Sequence, residues 1–315
     1  MPGENGYKSN REKDPNINWE NIFKCSDDLK VLFKKAGCKV AEIQHGEADD
    51  LAALCKEVVF EKYPDYNIII VSADADLRQL IDFNKENNQY CAVYNTTTKG
   101  KTGKRYFYVN QDFIDWFNKA DEAADIFFSN IDNCKNYIKE LLALNSKIEL
   151  ALENPNEILL HKIFCGDDGD CVPSFYSWMH NGKMVRVTAS KERKVREALK
   201  ISNIDDLIAS KNDLKPVFET VCKKELNDIN IIERLDRQRT LVELNSFLFP
   251  ENIRNYKETI DCMMQDVPEY GSLNIKTPEL LKGSEYEGAD KKKALNADIF
   301  KDMSKYGLPI SESLF

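Results

Sequence analysis

A strand, a helix and a second strand follow one another between residues 38 and 72, and this order limits the folds open to the chain. CKVAEI (38–43) reads as a strand, EADDLAALCKEVVFEKY (47–63) as a helix and NIIIVS (67–72) as a buried strand. Elements of these lengths predict a βαβ unit with a parallel sheet. Two further short strands, QYCAVYN and KRYFYVN, are predicted around a turn-rich segment.

Helical periodicity dominates the rest of the chain. Apolar residues at helical spacing predict a helix over 18–36, with Gly37 as its stop, and another helix begins in DLRQLIDF. From about residue 110 onward the pattern is almost wholly helical. The predicted fold class is therefore an α/β half followed by an α half, and a chain of 315 residues with 42% hydrophobic residues can bury the core that such a fold needs.

The composition predicts a soluble, cytoplasmic protein. The first residues, MPGENGYKSNREKD, are polar and do not resemble a signal peptide, and the sequence contains no apolar run long enough to cross a bilayer. The 9 cysteines are scattered, without a CxxC pair, and are expected to be reduced thiols. The 3 histidines are expected to serve packing or the surface.

A net charge of −9 argues against indiscriminate binding of nucleic acid. One stretch, residues 183–200, departs from this average. Its basic residues are Lys183, Arg186, Lys191, Arg193, Lys194, Arg196 and Lys200, against two glutamates. A basic stripe of this kind can hold a polyanion, although a solvated amphipathic helix has the same composition.

Acid-rich pentapeptides follow both strands of the predicted βαβ unit, GEADD at 46–50 and SADAD at 72–76. The carboxyl ends of parallel strands meet in one crevice, so these acids are expected to converge there. Two carboxylates a few ångströms apart repel by roughly 4 kcal/mol at an effective dielectric constant near 20, whereas a helix N-terminus relieves only ~0.3–1 kcal/mol. Oxygen ligands without His or Cys favour Mg²⁺ or Mn²⁺ over zinc.

Each acid also has a simpler interpretation. Asp49 or Asp74 alone is typical of a helix N-cap. A third acidic group, GDDGD at 166–170, has the composition of an ordinary turn between helices. Two acid clusters at adjacent strand ends nevertheless exceed what one cap per helix requires, so a metal site is predicted.

Four segments in order, YKSNR, GEADDLAA, VSADADLRQL and GDDGDCVPS, resemble the 5′-nuclease superfamily of flap endonucleases and 5′-to-3′ exonucleases. They are most similar to the bacteriophage branch that includes the T-even phage ribonuclease H. The likeness extends over nearly the whole chain, to LVELNSFLFPENI and a closing helix FKDMSKYGL. It implies a PIN-like parallel-sheet nuclease core followed by an all-α helix-three-turn-helix DNA-binding region. The implied segments are a remnant of the helical arch (1–16), the core (17–150), the DNA-binding region (151–250) and a C-terminal helical extension (251–315).

The resemblance implies a metal-dependent hydrolysis of phosphodiesters near 5′ ends, which removes RNA primers or flaps in DNA replication. Two Mg²⁺ ions, for which Mn²⁺ can substitute, would be the cofactors, and branched or 5′-flap DNA and RNA–DNA hybrids the partners. Lys8 and Arg11, within a motif that also contains Tyr7 and Asn10, would stabilise the charged transition state. The implied metal ligands are Glu47, Asp49 and Asp74 for the first ion, with Asp50 as a neighbouring acid, and Asp76 and Asp170 for the second, with Asp167 close by. The residues expected to contact the nucleic-acid backbone are Lys183, Arg186, Thr188, Lys191 and Lys194.

Two departures from the family pattern qualify this expectation. The family has an N-terminal strand and a following acidic segment before the YK–NR motif, and this sequence has only six residues there. Either another polypeptide supplies the strand, or the sequence is part of a longer reading frame, or the protein is degenerate. In addition, Cys171 stands where the family commonly has Asn, within a loop that lacks the family's glycine-rich hairpin. The alternative function is therefore a catalytically incomplete branched-DNA-binding protein, or one half of a split nuclease.

Overall fold

The computed structural model describes residues 15–35, 38–99, 103–118, 148–225 and 230–265. The chain divides into two compact units. Of the described residues, 45–257 belong to one unit, and 15–35, 38–44 and 258–265 belong to the other. The four segments implied by the family resemblance remain a prediction.

The described residues form helices and strands in an order that mixes the two types. The helices are α1 (Trp19–Lys35), α2 (Ala48–Lys62), α3 (Gln111–Asn118), α4 (Pro155–Cys165), α5 (Ala189–Leu199), α6 (Ile204–Ala209), α7 (Leu214–Cys222), α8 (Ile231–Val242), α9 (Glu251–Arg254) and α10 (Tyr256–Gln265), with short 3₁₀ helices at Asp76–Leu80 and Ser246–Leu248. The strands are β1 (Ile68–Val71), β2 (Asp82–Asn84), β3 (Gln89–Lys99), β4 (Lys104–Val109), β5 (Ile148–Leu152), β6 (Ser177–His180) and β7 (Lys183–Arg186). The predicted α/β class is confirmed.

A five-stranded sheet runs in the order β1-β3-β4-β5, with β2 paired to β3 outside this path. β1 is parallel to β3 and β4 is parallel to β5, whereas β3 is antiparallel to both β4 and β2. The predicted strands around the turn-rich segment are thus the hairpin β3–β4. The sheet is mixed, and its parallel pairs lie at its two ends.

Two elements predicted at the start of the sheet are wrong. Residues 38–43, predicted as a strand, have no regular secondary structure, and no strand of the described residues pairs with them. A strand requires such a partner for its backbone groups, so the predicted βαβ unit lacks its first strand. The helix predicted from DLRQLIDF is only a 3₁₀ helix, because the chain extends at Ile81 and β2 then pairs with β3.

The prediction of an almost wholly helical chain after residue 110 is also wrong. β5 adds a strand beside β4, and β6 and β7 form a separate antiparallel hairpin. Asn181 and Gly182 make its turn, with φ of 50° and 72°. Asn-Gly is the preferred pair for a two-residue hairpin turn that needs positive φ at both positions. The region expected to be all-α therefore contains a β-hairpin between α4 and α5.

Buried apolar clusters hold the larger unit together. The sheet packs through aromatic residues that include Phe83, Phe107 and Phe113. The helices after the sheet pack around Phe164, Phe175 and Phe218, whose rings lie 5.2–5.7 Å apart between centroids. α4 also packs against the 3₁₀ helix Asp76–Leu80, and this contact brings the loop after α4 close to the end of β1.

The smaller unit contains α1, which buries Cys25 and leaves Phe23 and Val31 about half exposed. In both units, none of the helices within the described ranges combines the length and the apolar character that a bilayer-spanning helix requires.

Candidate functional site

The turn after β1 fixes Asp74 by hydrogen bonds. Oδ1 of Asp74 accepts a hydrogen bond from the backbone N–H of Asp76 at 3.0 Å. The Oγ of Ser72 in turn accepts one from the backbone N–H of Asp74, also at 3.0 Å. Asp74 is therefore a turn residue just before the 3₁₀ helix, whose N-cap is Ala75, and its carboxylate makes the local hydrogen bond that is common for Asp in turns.

The loop after α4 is tightly closed and carries three more acids, Asp167, Asp168 and Asp170. Gly166 is the C-cap of α4, and its φ of 75° and ψ of −173° lie in a region used almost only by glycine. The backbones of Asp167 and Val172 exchange hydrogen bonds of 2.9 and 2.8 Å. The Oδ1 of Asp167 accepts another from the N–H of Gly169 at 2.8 Å. These bonds fix the direction of the Asp167 carboxylate.

Asp76, Asp167 and Asp170 form a carboxylate cluster that could bind a metal ion. One oxygen of each side chain lies within 4.8 Å of the other two. Burial raises the pKa of Asp76, with Asp74 and Asp167 adding to the rise, even though a hydrogen bond from Lys162 opposes it. Three oxygen donors at this spacing fit the ligand preference of Mg²⁺ or Mn²⁺.

Lys162 of α4 supplies a positive charge inside this cluster. Its Nζ donates to Oδ2 of Asp167 at 2.7 Å and also contacts Oδ2 of Asp76. The lysine side chain is only 13% exposed. Burial alone would lower the pKa of Lys162, but the hydrogen bonds to Asp167 and Asp76 outweigh it and hold that pKa above its usual value. The pKa of Asp167 is lowered, because Lys162 and the N–H groups of the loop more than offset its burial.

The predicted acids of α2 share a cavity with this cluster. The cavity measures about 380 Å³. At the N-terminus of α2, Glu47 and Asp50 form a capping box. In it the Asp50 carboxylate accepts a hydrogen bond from the Glu47 N–H at 2.9 Å. The acidic residues that line the cavity are Glu47, Asp49, Asp50, Asp76, Asp170 and Glu243, with His45 and Lys162 beside them. Asp74 and Asp167 do not line it.

The predicted backbone-contact residues lie on the hairpin and on α5. Arg186 of β7 forms an ion pair with Asp168 of the acidic loop. Lys191 places its Nζ 4.1 Å from the centre of the Trp178 ring, a cation–π contact. Thr188 is the N-cap of α5, and Lys183 and Lys194 are exposed.

One member of the basic stripe points inward. The Arg196 guanidinium donates to Glu157 at 2.6 Å and to Glu192 at 3.2 Å, and its side chain is only 13% exposed. The hydrogen bond to Glu157 holds the pKa of Arg196 above its usual value, against the effect of burial. Arg196 therefore stabilises the packing of α5 on α4, while other stripe residues remain at the surface.

The predicted catalytic residues Lys8 and Arg11, with Tyr7 and Asn10, lie outside the described residues. The sequence did not single out Glu243, nor did it single out the cavity residue Lys162. Its signal was weak: a lysine in the apolar helix segment ILLHKIF, five positions before Asp167. A charged residue in the last turn before an acidic loop is a hint that it pairs with that loop.

Comparison of the chain with family profiles, with curated sequences and with solved structures finds no match.

Proposed function

We propose that the protein is a metal-dependent 5′ nuclease, a 5′-to-3′ exonuclease or flap endonuclease that removes RNA primers or flaps. The observation that carries this proposal is the single cavity that gathers Asp49, Asp76 and Asp170 from three separate elements. Carboxylates from the start of α2, the 3₁₀ helix after β1 and the loop after α4 meet there. A protein that only binds other molecules has no evident use for so many acids in one cavity, because they repel one another.

Within this proposal the acids divide into two sets. Asp76, Asp167 and Asp170 would hold one Mg²⁺ ion, and Glu47 and Asp49 would hold the other, with Asp50 and Asp74 nearby. Bound there, the ions would lower the pKa of a water molecule and stabilise the leaving oxygen. The role of the chain is to fix these carboxylates, through the capping box of Glu47 and Asp50 and the closed loop around Asp167.

The nucleic acid would lie along the hairpin β6–β7 and α5. The exposed residues Lys183 and Lys194, together with Arg186, Thr188 and Lys191, suit contacts to phosphates. Lys8 and Arg11 would add positive charge at the scissile phosphate. In this reading the larger unit corresponds to a PIN-like core joined to a helix-three-turn-helix region, with the hairpin inserted in the latter.

One observation favours a second candidate, a branched-DNA-binding protein or one half of a split nuclease. Lys162 already neutralises part of the charge on Asp76 and Asp167, so these two acids have a cationic partner without an ion. In addition, β1 pairs only with β3 among the described residues, and Val71 is 63% exposed. A separate polypeptide that pairs with β1 would complete the sheet.

Cleavage of defined substrates separates the two candidates. The substrates are a 5′-flap DNA, an RNA primer on DNA and a plain blunt duplex, each labelled at the 5′ end. A nuclease of the proposed class releases short 5′ products from the first two in Mg²⁺, and Asp170→Asn abolishes the release. The matched control is Asp205→Asn, an exposed acid of α6 outside the cavity. Tight binding of the flap without cleavage supports the second candidate.

Binding is tested separately by salt titration. Lys194→Glu is expected to weaken binding to all sequences alike and to reduce the slope of log affinity against log salt by about 1. Lys85→Glu makes the same change of charge at an exposed lysine of the sheet region and serves as control. Equal loss of affinity in both variants would indicate that only net charge matters, and would remove α5 from the interface.

A further inference from the structure

A second cluster of potential metal ligands lies away from the acidic cavity, between α4 and α5. His161 and Cys165 are four residues apart on α4, so both side chains lie on one face of the helix. Glu192 of α5 faces them. His161 Nδ1 lies 2.7 Å from Oε2 of Glu192, and Cys165 Sγ lies 3.5 Å from the same oxygen. One ligand atom from each residue lies within 4.8 Å of the other two.

We propose that His161, Cys165 and Glu192 bind a transition-metal ion, Zn²⁺ first among them, at a site separate from the acidic cavity. One imidazole nitrogen, one thiolate and one carboxylate form a set of three protein ligands with a fourth position for water. The thiolate selects borderline-soft ions and disfavours Mg²⁺, whereas the acidic cavity offers oxygen ligands and one imidazole, His45. The two sites would therefore hold different metals.

The surroundings of the cluster suit a metal site. The Glu192 side chain is 5% exposed, and its second oxygen accepts a hydrogen bond from Arg196 at 3.2 Å. Such an outer partner orients a ligating carboxylate. The His161 side chain is 51% exposed, which provides an entry path and leaves room for the fourth ligand.

Metal binding would replace hydrogen bonds that the residues now make with one another. In the structure the Cys165 thiol donates to Glu192, and burial raises the pKa of that thiol to about 12. On binding, the thiol proton passes to solvent and a sulfur lone pair takes up the metal. The ion would then join α4, which leads into the acidic loop, to α5, which carries Lys191 and Lys194.

Co²⁺ spectroscopy of the whole chain tests the proposal, with a phosphine reductant to keep the cysteines reduced. A thiolate ligand gives Co²⁺ a charge-transfer band in the near ultraviolet, which oxygen and nitrogen ligands do not produce. The proposal predicts that the band reaches its full intensity at one equivalent of Co²⁺ per chain. The band should disappear on addition of Zn²⁺ and should be absent in Cys165→Ser. His161→Asn changes an exposed residue and is expected to weaken Co²⁺ binding at least about tenfold.

Two controls separate this site from others. Cys262→Ser removes an exposed thiol of α10 and is expected to leave the band unchanged. Asp170→Asn removes a carboxylate of the acidic cavity and is also expected to leave it unchanged, so the result does not depend on the nuclease proposal. Absence of the band in the wild type, or its persistence in Cys165→Ser, would overturn the proposal and leave the cluster as an ion-pair network that packs α5 on α4.

Discussion

The ammonium nitrogen of Lys162 lies 2.7 Å from Oδ2 of Asp167, within a cluster of three aspartates. It also contacts Asp76, so one lysine serves two of the three acids. A divalent ion bound by these carboxylates would have to compete with the lysine for the same oxygens. Lys162 is therefore expected to limit the affinity of the cluster for metal.

Replacing Lys162 with Gln is expected to strengthen Mn²⁺ binding, because the competing ammonium is removed. The same change should lower the free energy of unfolding without metal by about 1–3 kcal/mol, between the values for exposed and for buried ion pairs. Calorimetric titration with Mn²⁺ and urea denaturation measure the two effects. Lys85→Gln, at an exposed pair with Asp112, is the control. Weaker Mn²⁺ binding in Lys162→Gln would show that the lysine assists the ion instead.

Asp170 and Asp74 are expected to differ in their importance for metal binding. Asp170 lines the cavity and belongs to the carboxylate cluster. Asp74 uses its carboxylate to accept from the Asp76 backbone, and an asparagine can make the same hydrogen bond. Calorimetry with Mn²⁺ should therefore show a larger loss of affinity in Asp170→Asn than in Asp74→Asn. The reverse order would mean that the tighter ion is held at the end of β1.

The sequence predicted correctly those helices and strands whose conformation is indicated by the pattern of their own residues. Helix α2 and strand β1 follow from helical periodicity and from the apolar run Ile68–Val71. The segment 38–43 has similar composition but no partner strand among the described residues, and the sequence could not reveal that. The opposite error occurred at β5. The pattern there was taken as helical, but these five residues form a strand because they pair with β4.

The candidate site was predictable to a similar extent. The pattern of acids at predicted strand ends indicated that Asp49 and Asp76 lie together, and the family resemblance added Asp170; all three line one cavity. Lys162 could not be assigned a role, because its contact with Asp76 joins residues 86 positions apart and depends on how α4 packs. The cluster of His161 with Glu192 depends on the same packing.

Gly166 is expected to be irreplaceable in the loop that carries Asp167 and Asp170. A Cβ atom there would lie 2.5 Å from the carbonyl oxygen of Val172, and its positive φ of 75° adds strain. Gly166→Ala should lower the free energy of unfolding by more than the ~1–3 kcal/mol of backbone strain alone. Gly182→Ala, with φ of 72° and no atom within 4 Å, isolates the strain. If urea denaturation shows an equal loss of unfolding free energy in the two variants, the loop accommodates the added methyl group at position 166 without a steric penalty.

Glu57 is expected to make stability depend on pH. Burial raises its pKa, but hydrogen bonds from Lys257 and Ser246 outweigh burial and hold it below the ordinary value of 4.5. A carboxylate with a lowered folded pKa stabilises the protein above the unfolded pKa, and this contribution disappears as pH falls through the folded pKa.

Urea denaturation of Glu57→Gln at two pH values measures that contribution. The variant should be less stable than the wild type at pH 7 by about 1.5–3 kcal/mol, the range for a hydrogen bond to a charged group. The difference should shrink once Glu57 is protonated in both states. Glu61→Gln, an exposed residue of the same helix, is expected to show little change. A difference that is constant with pH would mean that Glu57 acts through packing.

The most direct test of the nuclease proposal is the single-turnover rate of 5′-flap cleavage as a function of Mg²⁺ concentration. Wild type, Asp76→Asn and the control Asp205→Asn are compared at saturating protein. We expect the rate to rise with Mg²⁺ and Asp76→Asn to lower it by roughly 10²–10³-fold, the loss typical of a removed transition-state contact. Cleavage that does not depend on Mg²⁺, equal rates in wild type and Asp76→Asn, or no cleavage at any Mg²⁺ concentration would contradict the nuclease proposal.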